Sequence, residues 1–255
     1  MQKLLSRATL EDYQLIVQLL LSKVGFVDNL ALRRALSTYR RDPTPEHQKV
    51  LTRRIEHELR YVASADLAYL GRWVWSGRGG ISTDRIVADV ARRLDVKIRP
   101  LGSLEAKLRR LVKAVAERQF LNLSANKQRK LLAQSQVSFD LREEVLRHIK
   151  RQGPVAILPF MLKALGKEAV DHLVMDLTAR IIAIFIGKAA ARQLTKTLAT
   201  RFPWWAEWMG PVSWAAAGIS VSLDLQAPAY RKTIPILLYL GLIALREGSD
   251  DEDEP

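Results

Sequence analysis

The chain is predicted to be all-α: a multi-helix bundle with a more apolar C-terminal helical part and a disordered acidic tail. Three observations predict it. Apolar residues recur at helical spacing through most of the first 150 positions. Ser, Thr and Pro stand where helices should begin. No pair of alternating β-branched runs is joined by a hairpin turn.

The elements follow in order. Thr9 caps a helix whose Leu10, Tyr13, Ile16, Val17, Leu20 and Leu21 share one face. Thr44-Pro45 is an N-cap followed by Pro at the first helical position, and Val50, Leu51, Ile55, Leu59 and Val62 are expected inward. Ser64 and Asp66 are expected to open another helix, through Leu67, Leu70 and Trp73 or Val74. Ser82 or Thr83 caps a helix with Ile86, Val87, Val90 and Leu94 on one face. Ser103 caps a longer one through Leu104, Leu108, Leu111, Val112 and Val115. Ser124 and Ser138 start two more, and Gly153-Pro154 stops the helix holding Val145, Leu146 and Ile149.

Past this point the character of the chain changes. Apolar runs lengthen at Val155–Leu162, Ile181–Gly187, Trp208–Leu223 and Thr233–Leu245. We therefore divide the chain into a basic amphipathic helical domain (1–152), an apolar Gly/Ala/Trp-rich helical domain (153–246) and an acidic tail (247–255). Phe202 to Tyr230 runs without one Lys or Arg and holds Trp204, Trp205, Trp208 and Trp214. Trp suits a membrane–water interface, because its ring is apolar and its N–H needs a wet partner. The Ala/Gly/Ser row that follows allows close helix approach, in a membrane or in a soluble core. No uncharged run reaches the eighteen or more residues of a transmembrane helix. These lengths fit core or interfacial helices.

Charge sets the class of partner. The net charge is +13, and without the six acidic residues of the tail it is +19. Such a body attracts polyanions: anionic membrane lipid, an acidic protein partner or nucleic acid. There is no cysteine, hence neither disulfide nor thiolate metal site. The N-terminus does not read as a signal peptide, because Glu11 and Asp12 precede a short apolar run with no cleavage site after it. Residence in the cytoplasm, with peripheral attachment to the inner membrane, is expected.

The catalytic motifs fail one by one. His57-Glu58-Leu59-Arg60-Tyr61 begins like a zincin helix, but Tyr61 stands where the second His must be. Glu168, His172 and Asp176 form a row four residues apart, which reads as a polar stripe rather than a metal site. There is no G-x-S-x-G, zinc finger, RNP motif or helix-turn-helix. No catalytic residue, cofactor or metal is assigned. Gly77-Arg78-Gly79-Gly80-Ile81-Ser82-Thr83 leads into a helix and is not a P-loop, lacking the Lys before Ser/Thr. Its backbone N–H groups, with Arg72 and Arg78 nearby, make Gly79, Gly80, Ser82 and Thr83 candidates for a lipid phosphate. A plain interhelical loop is the competing reading.

Two stretches carry a family resemblance. One is Gly79-Gly80, then Ile86-Val87-Ala88-Asp89-Val90-Ala91-Arg92-Arg93-Leu94-Asp95-Val96, followed by Ser103-Leu104-Glu105. The other is Ala229-Tyr230-Arg231-Lys232-Thr233-Ile234-Pro235, running on to Ala244-Leu245-Arg246, with Gly210-Pro211 and Ala217-Gly218 upstream. In order and spacing the chain resembles the YaaW family of bacterial proteins over roughly residues 50–246. The resemblance implies an all-helical bacterial cytosolic protein with a Gly/Ala-rich hydrophobic C-terminal part. It carries over no catalytic residue.

The expectation is a non-enzymatic protein at the cytoplasmic face of a membrane. Its basic helices would bind anionic lipid, and Phe202–Leu223, with Thr233–Leu245 as a second segment, would dock into the bilayer. The acidic tail would lie over the basic surface as a restraint. A soluble protein–protein interaction module and a nucleic-acid-binding protein are the alternatives, and homo-oligomerisation stays open.

Overall fold

The computed structural model describes residues 1–21, 30–64, 82–135, 137–152, 157–201 and 230–247. Among the described residues every regular element is an α-helix: α1 (Gln2–Leu5), α2 (Leu10–Leu21), α3 (Leu30–Arg41), α4 (Pro45–Ser64), α5 (Thr83–Arg93), α6 (Leu104–Leu121), α7 (Ala125–Gln134), α8 (Phe139–Gln152), α9 (Leu158–Leu165), α10 (Lys167–Arg201) and α11 (Tyr230–Glu247).

Local chemistry explains most boundaries. Ser82 and Ser103 sit in extended conformation, and their hydroxyls accept from the backbone N–H of Arg85 and Ala106 at the starts of α5 and α6. Thr44 does the same for His47 in α4. Thr9 and Asp12 form a reciprocal box at the start of α2. The Thr9 N–H donates to Asp12 Oδ2 at 2.9 Å, and the Asp12 N–H donates to Thr9 Oγ1 at 3.4 Å. α5 ends in a left-handed residue, Asp95, with φ 52°. The N–H of Val96 reaches the Ala91 carbonyl and that of Asp95 the Arg92 carbonyl, the pairing of a Schellman cap. The first turn of α9 is capped from a distance: Glu117 Oε1 accepts from the N–H groups of both Ile157 and Leu158.

The central helix is α11. From Lys232 to Ala244 every residue of α11 is buried, and α11 packs against α6, α10, α2, α4, α5 and α1. A helix apolar all round has no face to offer water, so its neighbours must surround it. Gly241 allows a close approach to α6. A Cβ there would stand 2.4 Å from Val112 Cγ1 and 2.9 Å from the Leu108 carbonyl oxygen of α6. Pro235 lies inside α11 and lacks an N–H, so the Arg231 carbonyl receives no helical bond from it.

α10 supplies a second long wall. Val170, Leu173, Val174, Leu177 and Ile181 form a buried stripe at helical spacing, resumed by Leu194 and Leu198. The connected cluster of buried apolar side chains draws on both sides of position 152, from Leu4 to Ala244. At the far end α7 and α8 pair, and Arg129 reaches both carboxylate oxygens of Glu143 at 2.8 and 3.3 Å.

The structure departs from the sequence expectations at three places. Val50, expected inward, is 50% exposed, while Leu51 is fully buried. Adjacent helical residues point about 100° apart, and α4 turns only one of the two toward the core. Ser64 is the last residue of α4 rather than the opener of a new helix, and Asp66, Leu67, Leu70, Trp73 and Val74 lie outside the described residues. α3 was not anticipated, because four arginines crowd its twelve residues and Leu32 alone is fully buried.

Candidate functional site

Of the residues singled out for phosphate, Arg72, Arg78, Gly79 and Gly80 lie outside the described residues. Ser82 is exposed and spends its hydroxyl on the α5 cap, while Thr83 is buried in the first turn. Trp204, Trp205, Trp208 and Trp214 also lie outside the described residues, as does Ala229. The rest of the family-like motif opens the central helix. Tyr230 lies under the Arg93 guanidinium, 5.3 Å from carbon to ring centroid. Arg231 is exposed, whereas Thr233, Ile234 and Pro235 are buried. The two stretches that carry the resemblance therefore meet, the end of α5 against the start of α11.

Of the polar stripe on α10, Glu168 is exposed, Asp176 is half-buried and His172 is buried. His172 is 3% exposed, and Asp176 pairs with Arg180 at 2.8 Å. Burial raises the Asp176 pKa, with Arg180 opposing. Among the described residues no group of His, Asp or Glu is arranged to hold a metal. Burial pushes the His172 pKa from 6.5 down to about 4. Between those values the unfolded chain holds a proton on this ring that the folded chain does not. Stability is therefore expected to fall as pH drops from 6.5 toward 4, by at most about 3 kcal/mol, with no contribution above that window. Urea midpoints at pH 7 and pH 4.5 check this: His172→Gln should show a smaller difference than the parent. An equal difference would remove His172 as a cause.

Lys232, Tyr239 and Asp12 were missed at the sequence level, and they set how α11 meets α2. The buried Lys232 ammonium donates to the Leu20 carbonyl at 2.9 Å, capping the C-terminus of α2. The buried Tyr239 hydroxyl donates to Asp12 Oδ1 at 2.6 Å, at the other end of α2. Seven residues along α11 thus match eight along α2 in the opposite direction, so the two helices run antiparallel. Burial lowers the Lys232 pKa, opposed by Glu58. The signals available beforehand were the Thr9-x-x-Asp12 box and the Arg231-Lys232 pair at the head of an apolar run.

One open feature of the described surface is a cleft of about 960 Å³ among α2, α3 and α10. α2 contributes Gln14, Val17, Gln18 and Leu21, and α3 contributes Arg33, Leu36, Ser37 and Arg40. These residues follow the i, i+3, i+4, i+7 spacing of one helix face, and Leu19 of α2 lines the cleft beside them. Ile186 and Ala190 of α10 complete the wall. The volume lies in the range of small-molecule sites, roughly 300–1,000 Å³. Arg33 and Arg40 are exposed at its rim.

Comparison with family models, curated proteins and solved structures finds no match to the chain.

Proposed function

We propose that the protein acts without catalysis at the cytoplasmic face of a membrane, its basic helices adsorbing to anionic lipid headgroups. The observation that carries this reading is α3. It holds Arg33, Arg34, Arg40 and Arg41, all exposed, and no acidic residue. Arg34 and Arg41 lie two turns apart, as do Arg33 and Arg40, so the helix presents two adjacent cationic strips. Guanidinium groups suit phosphate because they offer planar paired donors. No described helix is long and apolar enough to cross a membrane. Thr233–Leu245 fills the core in this structure, so docking through that segment would require the bundle to open. Adsorption through α3 leaves the core intact, and docking of the Trp204–Trp214 run would add apolar contact. Membership of the YaaW family belongs to this proposal and rests on the two stretches that meet at Arg93 and Tyr230.

The test is flotation of the full-length protein with phosphatidylglycerol-containing or neutral vesicles at low and high salt. Binding to anionic vesicles at low salt is expected, weakening as salt screens the charge. Each arginine near an anionic surface is worth about 1 kcal/mol, so Arg34→Gln with Arg41→Gln should cost about thirtyfold in partitioning. Absence of flotation, or partitioning unmoved by the double variant, would sink the proposal. Complete displacement by duplex DNA at matched charge would move the assignment to nucleic acid.

A further inference from the structure

We propose that the cleft among α2, α3 and α10 binds one single-chain anionic amphiphile, its hydrocarbon chain along the apolar lining and its headgroup at the arginine rim. The inference does not depend on adsorption to a bilayer, because the ligand would be taken as a monomer from water.

Three properties of the cleft point to this chemistry. Its lining is divided: Val17, Leu21, Leu36 and Ile186 offer apolar surface, while Arg33 and Arg40 offer charge. A purely apolar ligand would gain nothing from the rim cations, and a bare anion would leave the apolar walls wet. A molecule with a chain and an anionic head satisfies both. The charges also share one side. Arg33 and Arg40 belong to the same face of α3, about 10 Å apart along its axis, and among the described residues no acidic one lines the cleft. Helical side chains lean toward the N-terminus, so Arg40 reaches back over Ser37 and Leu36 and can meet a headgroup whose chain lies against Leu36. Finally, the walls are preformed. α2 is anchored by Lys232 and Tyr239 of α11, and α10 and α3 both pack on α2, so little ordering accompanies binding.

Isothermal titration of the full-length protein with oleate below its micellar concentration tests the proposal, with the methyl ester of the same chain, octanoate and lysophosphatidate as comparisons. One molecule per chain is expected. Arg33→Gln with Arg40→Gln should weaken oleate by about tenfold or more, as expected when a charge-assisted contact is lost. The methyl ester should bind the parent as weakly as oleate binds that variant. Octanoate should bind more weakly than oleate. Ala190→Trp, which fills the cleft without touching its charge, should weaken oleate by a similar factor. Lysophosphatidate binding more tightly than oleate would name a phosphate head, and the reverse would name a carboxylate; either supports the site. Absence of oleate and lysophosphatidate binding would overturn the proposal, as would affinity unchanged by both the rim variant and Ala190→Trp, or a cleft already filled by another part of the chain. Arg34→Gln with Arg41→Gln lies off the cleft and should leave oleate affinity unchanged, so failure here and failure of membrane adsorption are read separately.

Discussion

Asp12→Ala is expected to destabilise the protein by about 3–5 kcal/mol, the cost of breaking a buried charged pair by removing one partner. Asp12 is 1% exposed and serves three residues at once. Its carboxylate takes the Thr9 N–H and hydroxyl, the Tyr239 hydroxyl at 2.6 Å and the Arg246 guanidinium at 3.6 Å. Alanine leaves the start of α2 without its box and leaves a tyrosine hydroxyl inside the core without its acceptor. The loss is large beside a typical total stability of about 5–15 kcal/mol. Tyr239→Phe removes one donor and should cost about 1.5–3 kcal/mol, the range for a hydrogen bond to a charged group. In a double-mutant cycle the two should couple, the pair costing less than the two singles combined, because both remove the same bond. Urea unfolding with unchanged slope is the measurement. A loss under about 1 kcal/mol for Asp12→Ala would mean that water readily replaces the network, and α2 would then be held by packing alone.

Gly241→Ala is the second large effect. In a helix interior this exchange normally stabilises by about 1 kcal/mol. Here the new methyl would meet Val112 Cγ1 at 2.4 Å and the Leu108 carbonyl oxygen at 2.9 Å. Val112 is β-branched and held to one rotamer in a helix, and the carbonyl belongs to the backbone of α6, so neither yields easily. α11 and α6 must separate along the middle of the core. Overpacking of this kind costs about 1–3 kcal/mol, and the upper end is expected because a backbone atom is involved. That corresponds to a fall in Tm of about 2–4 °C per kcal/mol for a chain of this size. Val112→Ala in the Gly241→Ala background should recover part of the loss, since it removes the nearer contact and leaves the carbonyl one. A neutral or stabilising Gly241→Ala would show that the two helices do not approach this closely in solution.

Much of the helical plan was legible in order along the chain. Ser82, Ser103 and Thr44-Pro45 start helices where the residues indicated, and Gly153-Pro154 follows the last residue of α8. The inward sets Ile86, Val87, Val90 and Leu94, and Leu108, Leu111, Val112 and Val115, are buried as their spacing implied. The exceptions have specific causes. α3 was invisible because a helix with one fully buried residue has almost no apolar stripe to count, yet it supplies the arginines of the cleft. Val50 looked inward because periodicity defines a face only to within about one residue, while a neighbour's edge decides which residue it covers.

The sequence by itself determined where most of the helices start, which residues mostly prefer burial and that the body is strongly cationic, because caps, helical spacing and charge act over a few residues or by simple addition. Only the tertiary structure decided that Thr233–Leu245 lies at the centre of the bundle, an apolar stretch whose composition suits a core and a bilayer equally. It alone paired Tyr239 with Asp12, 227 positions away, and Lys232 with the end of α2. It alone brought Val17, Leu36, Arg40 and Ile186 around one cleft. Those juxtapositions depend on which faces leave no gap when the helices pack, and that is a property of the assembled volume rather than of any segment within it.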